Sequence, residues 1–468
     1  MVVSLIVSAL WLRSWTQNRR RWRLPSTIPR IPFYLSALYT YKRADRTTFY
    51  NACVRHAAEQ HGAVLVWNKG RWTILITDPQ YLTEVFRNDH VFAKAGPYHK
   101  SPGGAAAHLF GLNIIDSHGP LWRHFRSILQ RGIQRRIDIR FIRRKSTELA
   151  AELVRMQNVA SSSGCGVEIS LPIQRWALSI YGEYFMDKDL VAGGNELQDA
   201  LNRLRRLRMS PLLALYPPLE RLQWLFPSSR RAFALARSIE AILVGHVDGG
   251  VHAKSDIMIY RLNRALSTGD ISEFHYRSNL KQLLFAGHEN TEVVLNSALW
   301  ELAKSPEVQD RLWRELCSNL PSPYSARDLG RLPLLAATIL ETMRLYPPIS
   351  LTNRATTRDA CLGGSLHIPA GTWVGWSAYA VHTNPCIWGP SALDFNPDRW
   401  GRDMDEVLRT FRTQQARGRY IPFATHARRC SGSNFAILQL KVALCELVRR
   451  LRWARDPGYH FSLLQVCP

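Results

Sequence analysis

The stretch that most constrains this chain is Phe423–Gly432, which reads Phe-Ala-Thr-His-Ala-Arg-Arg-Cys-Ser-Gly and lies near the carboxyl-terminal end. It places Cys430 in a bend between Arg428 and a glycine, just ahead of an apolar segment that predicts a helix. A thiolate needs positive potential and backbone N–H donors to stay ionised at neutral pH. The loop therefore predicts either a buried structural cysteine or a thiolate that is held ready to bind a metal.

Two charged segments precede this loop in the chain. Glu341 and Arg344 lie in Leu334–Tyr346, a stretch with a helical pattern that ends at a pair of prolines. Residues three apart share one face of a helix and form local ion pairs, although many such pairs are ordinary solvated pairs. Further on, the irregular segment 394–400 contributes a second guanidinium, that of Arg399.

A third segment interrupts a long apolar stretch that predicts a helix over about 278–304. It reads Ala286-Gly-His-Glu289-Asn290-Thr291. A glycine, an acid and polar residues in the middle of a buried helix cost stability. Such a segment commonly marks a widened turn that holds water or ligand, and we expect one here.

Together, these four segments resemble the signatures of the cytochrome P450 superfamily of haem-thiolate monooxygenases, in the same order and over about residues 28–451. The resemblance implies a mainly α fold with a small β-rich lobe, and the sequence places this lobe near the amino terminus. The alternating stretches 64–67 and 72–77 predict a β-hairpin around 68–70, and 92–117 is predicted to be a long loop. Haem b would lie between the long central helix and the helix that bears the cysteine. A thiolate that donates electron density to haem iron promotes O–O cleavage, so Cys430 would be the axial ligand of the iron.

The resemblance also implies which residues hold the cofactor. Trp122 and Arg126 match the W-x-x-x-R helix that grips a haem propionate, and Arg354 and Arg428 match the other propionate ligands. Cationic donors paired with carboxylates make strong hydrogen bonds. The implied cofactor-binding set is Cys430, Trp122, Arg126, Arg354, Arg428, Phe423 and Gly432.

Five further residues receive roles from the same resemblance. Glu341, Arg344 and Arg399 would form a buried structural triad that locks the chain on the cysteine side of the haem. Glu289 and Asn290 would be the catalytic residues, which relay protons with nearby water as general acids do.

The chain departs from the family pattern in three places. His426 stands where a glycine is usual, and glycine is chosen at such sites for backbone freedom or close contact. Asn290 stands where most members carry a threonine, so a hydroxyl is replaced by an amide. The sequence ends at Pro468, where the family usually continues through a β-hairpin, so a truncated form is one expectation. An inactive or truncated relative and a haem-binding sensor are the alternatives to an active enzyme.

The amino-terminal sequence predicts a membrane anchor with its basic flank at 1–23, a proline hinge at 24–32 and a single catalytic haem domain at 33–468. The apolar part, Met1–Leu12, is shorter than the roughly 20 residues that span a bilayer. The basic residues that follow favour a cytoplasmic position for that end. We therefore expect the endoplasmic reticulum membrane, with the catalytic domain facing the cytoplasm, and a soluble protein as the alternative. The eight cysteines lack paired spacing, which indicates a reducing compartment.

Three kinds of binding partner could explain the net charge of +24. Nucleic-acid binding would require a basic stripe on a recognition fold, and the arginines are instead spread along the chain. An anionic membrane surface and an acidic electron donor explain the charge better. The donor implied by the resemblance is NADPH-cytochrome P450 reductase, with cytochrome b5 as a second one.

The expected substrate is a small, largely apolar organic molecule. The segments that surround the substrate in this family correspond to 92–117, 203–230, 279–291 and 348–353, and here they are rich in Leu, Phe, Pro and Ala. The acid segment and the segment with Arg399 most resemble those of fungal members of secondary metabolism, some of which act on amino-acid- or dipeptide-derived metabolites. Hydroxylation, desaturation and coupling all remain open.

Overall fold

The computed structural model describes residues 24–161, 166–207, 209–247, 256–349 and 351–456. The predicted anchor at 1–23 and the last residues of the chain lie outside these ranges. Helices dominate the described residues, and one five-stranded and one two-stranded sheet accompany them. The predicted mainly α fold with a small β region is therefore confirmed.

The α-helices surround a large apolar core, and their bounds in chain order are Phe33–Tyr41, Arg46–Phe49, Arg55–His61, Pro79–Arg87, Pro97–Lys100, Ala105–Phe110, Gly119–Ile133, Ile139–Ser161, Ser170–Tyr181, Glu196–Arg206, Pro211–Leu215, Pro227–Gly245, Met258–Ser267, Glu273–Lys304, Pro306–Asn319, Ala326–Leu329, Pro333–Leu345, Ala378–His382, Pro385–Trp388, Met404–Ala416 and Ser433–Arg450. Short π-helical segments cover Tyr50–Val54 and Gly182–Met186. Single 3₁₀ turns cover Pro217–Arg221, Pro397–Trp400 and His426–Arg428.

The described strands are Ala63–Asn68 (β1), Arg71–Ile76 (β2), Phe92–Lys94 (β3), Leu351–Thr356 (β4), Ala360–Leu362 (β5), Leu366–Ile368 (β6) and Trp373–Ser377 (β7). The larger sheet has the strand order β1-β2-β7-β4-β3, in which β2 and β7 are parallel and the other neighbours antiparallel. The smaller sheet pairs β5 with β6. The hairpin predicted around residues 68–70 is present as β1 and β2. The β-rich lobe is not confined to the amino-terminal part, however, because β4 and β7 complete the same sheet.

The prediction of one long loop at 92–117 is wrong in detail. Strand β3 begins this segment and pairs with β4, and two short helices follow, Pro97–Lys100 and Ala105–Phe110. The first of these begins with proline, whose fixed φ suits the first turn of a helix. The segment is therefore held at both ends, by the sheet and by its short helices.

The central helix, Glu273–Lys304, is continuous, so the widened turn expected near Gly287 is absent from it. The glycine has a packing reason instead. A Cβ atom built on Gly287 would lie 2.3 Å from Cδ2 of Tyr181, whose ring is fully buried on the neighbouring helix Ser170–Tyr181. The close approach of these two helices requires a residue without a side chain at this point.

The predicted proline hinge at 24–32 lies against the edge of the sheet. Leu65 of β1 donates its backbone N–H to the Pro29 carbonyl at 2.9 Å and accepts from Ile31 N–H at 2.9 Å. The helix Phe33–Tyr41 follows directly. Within the described ranges, no helix combines the length and the apolar character that crossing a bilayer requires.

Candidate active site

The cysteine loop brings backbone donors to the sulfur of Cys430. The Cys430 N–H donates to the Phe423 carbonyl at 2.9 Å, which closes the loop, and the helix Ser433–Arg450 begins three residues later. Burial raises the pKa of the thiol, whereas the backbone N–H groups of Gly432 and Ser433 and the charge of Arg429 lower it. Protein surrounds the cysteine, yet part of its surface is open. The loop thus presents a sulfur toward free space, and a bound metal ion would deprotonate it.

His426 adopts the backbone conformation that explains the usual glycine at its position. Its φ is 58°, and that of Ala424 in the same loop is 52°. A left-handed conformation costs an L-residue about 1–2 kcal/mol, although histidine is among the side chains that occur there more often. The loop therefore keeps its shape at a cost in stability.

The helix Gly119–Ile133 is fixed to the cysteine loop through Trp122 and Arg126. The guanidinium carbons of Arg126 and Arg428 lie 5.1 and 4.4 Å from the centroid of the Trp122 ring. Arg126 Nη1 donates to the Ala427 carbonyl at 2.5 Å, and Arg428 Nη2 donates to the Ser117 carbonyl at 2.9 Å. The structure thus brings three of the predicted cofactor-binding residues together beside the loop of Cys430.

Arg354 is a buried cation whose hydrogen bonds are incomplete. Its Nη1 donates to the Phe92 carbonyl at 2.7 Å, whereas Nε and Nη2 have no partner. Burial lowers the pKa of this guanidinium to about 10. An unsatisfied buried charged group is costly, so these two nitrogens indicate a ligand that carries oxygen acceptors.

Lys94, which the sequence analysis did not identify, lies directly opposite Arg354 in the β3–β4 pair. Burial, Arg354 and Arg428 together lower the pKa of the Lys94 amine to about 7. Burial and the same neighbour, Arg354, lower the pKa of Arg428 to about 9. Like charges opposite each other on a sheet are destabilising. No local pattern marks Lys94, because its position depends on the register of two strands that are far apart in the chain.

These three cations fit the two propionates of a haem. The acids near them are Asp116, which is buried beside Lys94, and Asp89, which acts on Arg354 and Arg428. Among the described residues, neither carboxylate forms a close ion pair with Lys94, Arg354 or Arg428, and the dianionic edge of a cofactor would supply close counter-charges. With the open sulfur of Cys430, the residues present therefore fit haem b, and we refer to Lys94, Arg354 and Arg428 as the cation cradle.

Glu341, Arg344 and Arg399 lie in contact in the interior. Arg344 donates through Nε and Nη2 to the two carboxylate oxygens of Glu341 at 2.8 and 2.9 Å. Arg399 Nε donates to Oε1 at 3.3 Å, and the indole of Trp400 donates to Oε2 at 3.0 Å. Arg344 also donates to the Ala392 carbonyl at 2.5 Å. The triad therefore ties the helix Pro333–Leu345 to the irregular chain that leads to the cysteine loop.

The structure places the predicted relay acid, Glu289, against an arginine that the sequence analysis did not identify. Arg205 donates to Glu289 Oε1 through Nε at 3.3 Å and Nη2 at 3.2 Å. It also donates to both oxygens of Glu292 at 2.7 Å. Burial raises the pKa of the Glu289 carboxyl to about 7, although Arg205 acts in the opposite direction. Burial of Glu289 thus outweighs the charge of Arg205, which Glu289 shares with Glu292.

Asn290 faces away from this ion pair. Its Nδ2 donates to the Ala286 carbonyl at 3.1 Å, and its Oδ1 has no partner. Adjacent residues of a helix point about 100° apart. Ala286 and Asn290 keep part of their surface open, whereas Glu289 is buried. The side chains of the two predicted catalytic residues therefore point in different directions.

Comparisons with known proteins show the family to which the chain is similar. The family model described as "Cytochrome P450" matches residues 25–462. The "Cytochrome P450 monooxygenase xanG" of Aspergillus fumigatus is 38% identical over 460 residues, which are 95% of this chain and 85% of that protein. "Cytochrome P450-DIT2" of Saccharomyces cerevisiae is 30% identical over 463 residues, 95% of this chain and 91% of that protein. "Cytochrome P450 714C2" of Oryza sativa subsp. japonica is 26% identical over 424 residues, 86% and 77% of the two chains.

Removing one cation of the cradle is expected to loosen the cofactor. Arg354→Met should speed haem loss by roughly tenfold or more, because hydrogen bonds to charged groups contribute about 1.5–3 kcal/mol. The measurement is the rate of haem transfer to an excess of apomyoglobin, which does not depend on catalysis. Arg358→Met, a change at an exposed position just after β4, is the matched control. Equal transfer rates for the two variants would contradict the assignment of the cradle.

Proposed function

Because the chain belongs to the cytochrome P450 family, we propose that it is an active monooxygenase that oxidises a small organic molecule with dioxygen and electrons from a partner protein. Members of the family use haem b. The observation that carries the proposal is the open sulfur of Cys430, which receives the backbone donors of Gly432 and Ser433 beside a cradle of buried cations. A structural cysteine would need neither the opening nor the cations.

The residues around the cofactor have separate tasks. Haem b bound at Cys430 supplies the activation of dioxygen, as the cofactor does in such enzymes. Arg354, Lys94 and Arg428 would hold its carboxylates. The triad around Glu341 is buried and keeps the cysteine loop in place. Asn290 offers an acceptor oxygen on the face of the central helix next to Ala286.

We assign proton delivery to Glu289. Its pKa of about 7 gives comparable amounts of acid and carboxylate at neutral pH, which is the condition for efficient general acid catalysis. Arg205 is held mainly by Glu292, to which its hydrogen bonds are shorter than those to Glu289. Glu289 can therefore leave the arginine, which keeps its bidentate partner.

The substrate class is proposed to be largely apolar. Phe110, from the segment between the sheet and the helix Gly119–Ile133, packs edge-on against Phe285 of the central helix at 5.1 Å. Such a pair provides an apolar wall beside the face with Ala286 and Asn290. The similarity to two fungal proteins supports a fungal secondary metabolite, and we favour one derived from an amino acid or dipeptide.

The electron donor is proposed to be NADPH-cytochrome P450 reductase, with cytochrome b5 as a second donor. A basic surface pocket lies beside the cysteine loop, which it reaches through Arg126 and through Gln134, whose Nε2 donates to the Ser431 carbonyl at 3.4 Å. Positive potential at this place would steer an acidic protein toward the haem. The residues that line the pocket are Arg126, Ser127, Gln130, Arg131, Gln134, Arg135, Arg136, Asp256 and Arg261.

We also propose that the chain binds the endoplasmic reticulum membrane, partly through an apolar surface of the folded domain. The helix Pro211–Leu215 packs against the helix Phe33–Tyr41, which follows the hinge. The most exposed residues of this surface are Tyr41, at 75%, and Trp224, at 73%. Neighbouring exposed apolar patches of this kind mark interaction sites. We call the set the apolar rim, and its exposed members are Phe33, Tyr34, Leu38, Tyr41, Leu212, Trp224 and Leu225.

The thiolate ligand can be tested by spectroscopy. Cys430→Ala is expected to abolish the carbon-monoxide difference band that thiolate-ligated, reduced haem gives in this family. Cys361→Ala, at an exposed cysteine on β5, should leave the band unchanged. Retention of the band in Cys430→Ala would remove the basis of the proposed function. Its absence from the wild-type protein would favour an inactive relative.

The role of Glu289 can be tested by the efficiency of turnover. Glu289→Gln should slow product formation by roughly 10²–10⁴-fold, because loss of a proton-transfer group typically has that effect, while substrate-induced spectral shifts persist. Glu289→Asp is the control, since it keeps the acid and should recover part of the rate. Product formed per NADPH consumed is measured together with peroxide release. Normal coupling in Glu289→Gln would leave Glu289 a purely structural residue.

The basic pocket predicts a salt-dependent encounter with the reductase. Replacing the exposed Arg131 and Arg136 with glutamate should slow reduction by the reductase and weaken its dependence on ionic strength. Chemical reduction by dithionite should not change. Arg409→Glu, at an exposed residue outside the pocket, is the control. If the pocket variant is reduced by the reductase as fast as the control, docking occurs elsewhere.

The apolar rim predicts membrane binding that survives loss of the predicted anchor. Deletion of residues 1–23 should leave a fraction of the protein on microsomes. Adding Tyr34→Ser, Tyr41→Ser and Trp224→Ser should release most of that fraction, because each change removes exposed apolar area from the bilayer interface. Val159→Ser, at an apolar residue on another helix that is also 75% exposed, is the control. Flotation of the deleted protein that is insensitive to the three rim changes would contradict this surface.

A further inference from the structure

A second group of basic side chains lies next to the cation cradle, around Lys100. This lysine ends the short helix Pro97–Lys100, between strand β3 and the helix Ala105–Phe110. Protein surrounds its side chain on most sides, yet part of it remains open, as for Cys430. Within the described residues, its ammonium makes no hydrogen bond. Its ammonium is therefore available to a ligand that enters this opening.

The position of Lys100 is fixed by its backbone. Arg71 of β2 donates to the Lys100 carbonyl, and its guanidinium carbon lies 4.1 Å from the ring centroid of Trp373. On the other side, Arg221 Nε donates to the Pro102 carbonyl at 2.8 Å. The Ala105 N–H donates to Glu220 at 2.8 Å. The backbone of this segment is thus held between the sheet and the turn Pro217–Arg221. The side chain of Lys100 therefore extends from a fixed backbone position.

The charges around Lys100 are mainly positive. Lys69, Arg46 and Arg71 lower the pKa of its amine together with burial, which is the largest cause, and Asp116 is the acid that opposes them. Asp116 also faces Lys94 and His99. Its Oδ2 atom has no hydrogen-bond partner. The carboxylate of Asp116 is therefore shared by Lys94 and Lys100 and forms a close ion pair with neither of them.

The cofactor does not supply the missing charge. Its two propionates would be held by the cation cradle together with Trp122 and Arg126, and Asp116 is shared among Lys94, Lys100 and His99. Among the described residues, Lys100 has only a share of this one carboxylate and forms no close ion pair. Lys100 therefore requires one further anionic group as its partner. A carboxylate fits this role, because the lysine ammonium acts as a point charge.

The surroundings of this segment show where the rest of such a ligand would extend. Ile114 donates its backbone N–H to Asn279 of the central helix at 2.9 Å, and Phe110 packs on Phe285. The segment from Lys100 onward therefore leads from the cation cradle to the face of the central helix with Asn290. A molecule held by its acid group at Lys100 would reach along an apolar wall toward that face.

We propose that Lys100 is a specificity-determining residue that binds a carboxylate of the substrate. The assignment rests on the proposed monooxygenase function and refines its substrate class from a largely apolar molecule to an apolar molecule that bears an acid group. Lys100 acts on binding and orientation, and it takes no part in dioxygen chemistry.

The test uses matched acid and amide pairs as probes, namely N-acetyl-L-tyrosine with N-acetyl-L-tyrosinamide, 3-phenylpropanoate with 3-phenylpropanamide, and decanoate with decanamide. Binding to the haem-loaded protein is measured by calorimetry, which does not require turnover. At least one acid is expected to bind the wild type roughly tenfold more tightly than its amide, as an ion pair in a partly buried site allows. In Lys100→Met this preference should fall to about one, whereas Lys100→Arg should retain much of it.

Lys42→Met, a change at an exposed lysine just after the helix Phe33–Tyr41, is the matched control and should keep the preference. A wild-type panel in which no acid binds better than its amide overturns the assignment, as does a preference that persists in Lys100→Met. The carbon-monoxide difference band is recorded on the same samples. Its absence from the wild type contradicts the proposed function, and the acid preference still decides the role of Lys100.

Discussion

The buried carboxylate of Glu341 holds together the part of the molecule on which the cysteine loop depends. It is fully buried and accepts hydrogen bonds from two arginines, an indole and the backbone N–H of Asn396. Removing one partner of such a pair typically costs about 3–5 kcal/mol, because the other charge is left uncompensated in the interior. The network spans the helix Pro333–Leu345 and the irregular chain near Trp400. It therefore fixes the approach to Cys430 without touching the sulfur.

The cofactor side of the molecule shows the opposite situation, in which charges are left unmatched. Lys94 and Arg354 face each other across two strands, and Arg428 adds a third positive charge nearby. Each of the three has its pKa lowered by burial. Without a bound anion that pairs closely with them, such an arrangement of buried cations would lower the stability of the fold. The cradle is therefore a structural argument for a dianionic cofactor that is independent of the cysteine.

Local patterns predicted the elements of this chain better than their partners. The helix around Glu341, the hairpin of β1 and β2 and the loop of Cys430 all follow from residue types within short windows. Arg205 could not be predicted, because its contact with Glu289 joins residues that are 84 positions apart. Lys94 was missed for the same reason. Gly287 was misinterpreted, since a glycine in a helix indicates either a break or close packing, and only the position of Tyr181 decides between them.

The central helix directs Glu289 and Asn290 to different surroundings, although the family resemblance groups them as one catalytic pair. Glu289 is directed toward Arg205 and Glu292, in a buried ion-pair network, whereas Asn290 binds the Ala286 carbonyl and leaves an acceptor open. An amide oxygen accepts a hydrogen bond but has no proton of its own to pass on, unlike a hydroxyl. The proposed function therefore assigns proton supply to Glu289 rather than to Asn290. Asn290 is left free to orient a donor group, either water or a polar group of the substrate, so the missing threonine is compatible with activity.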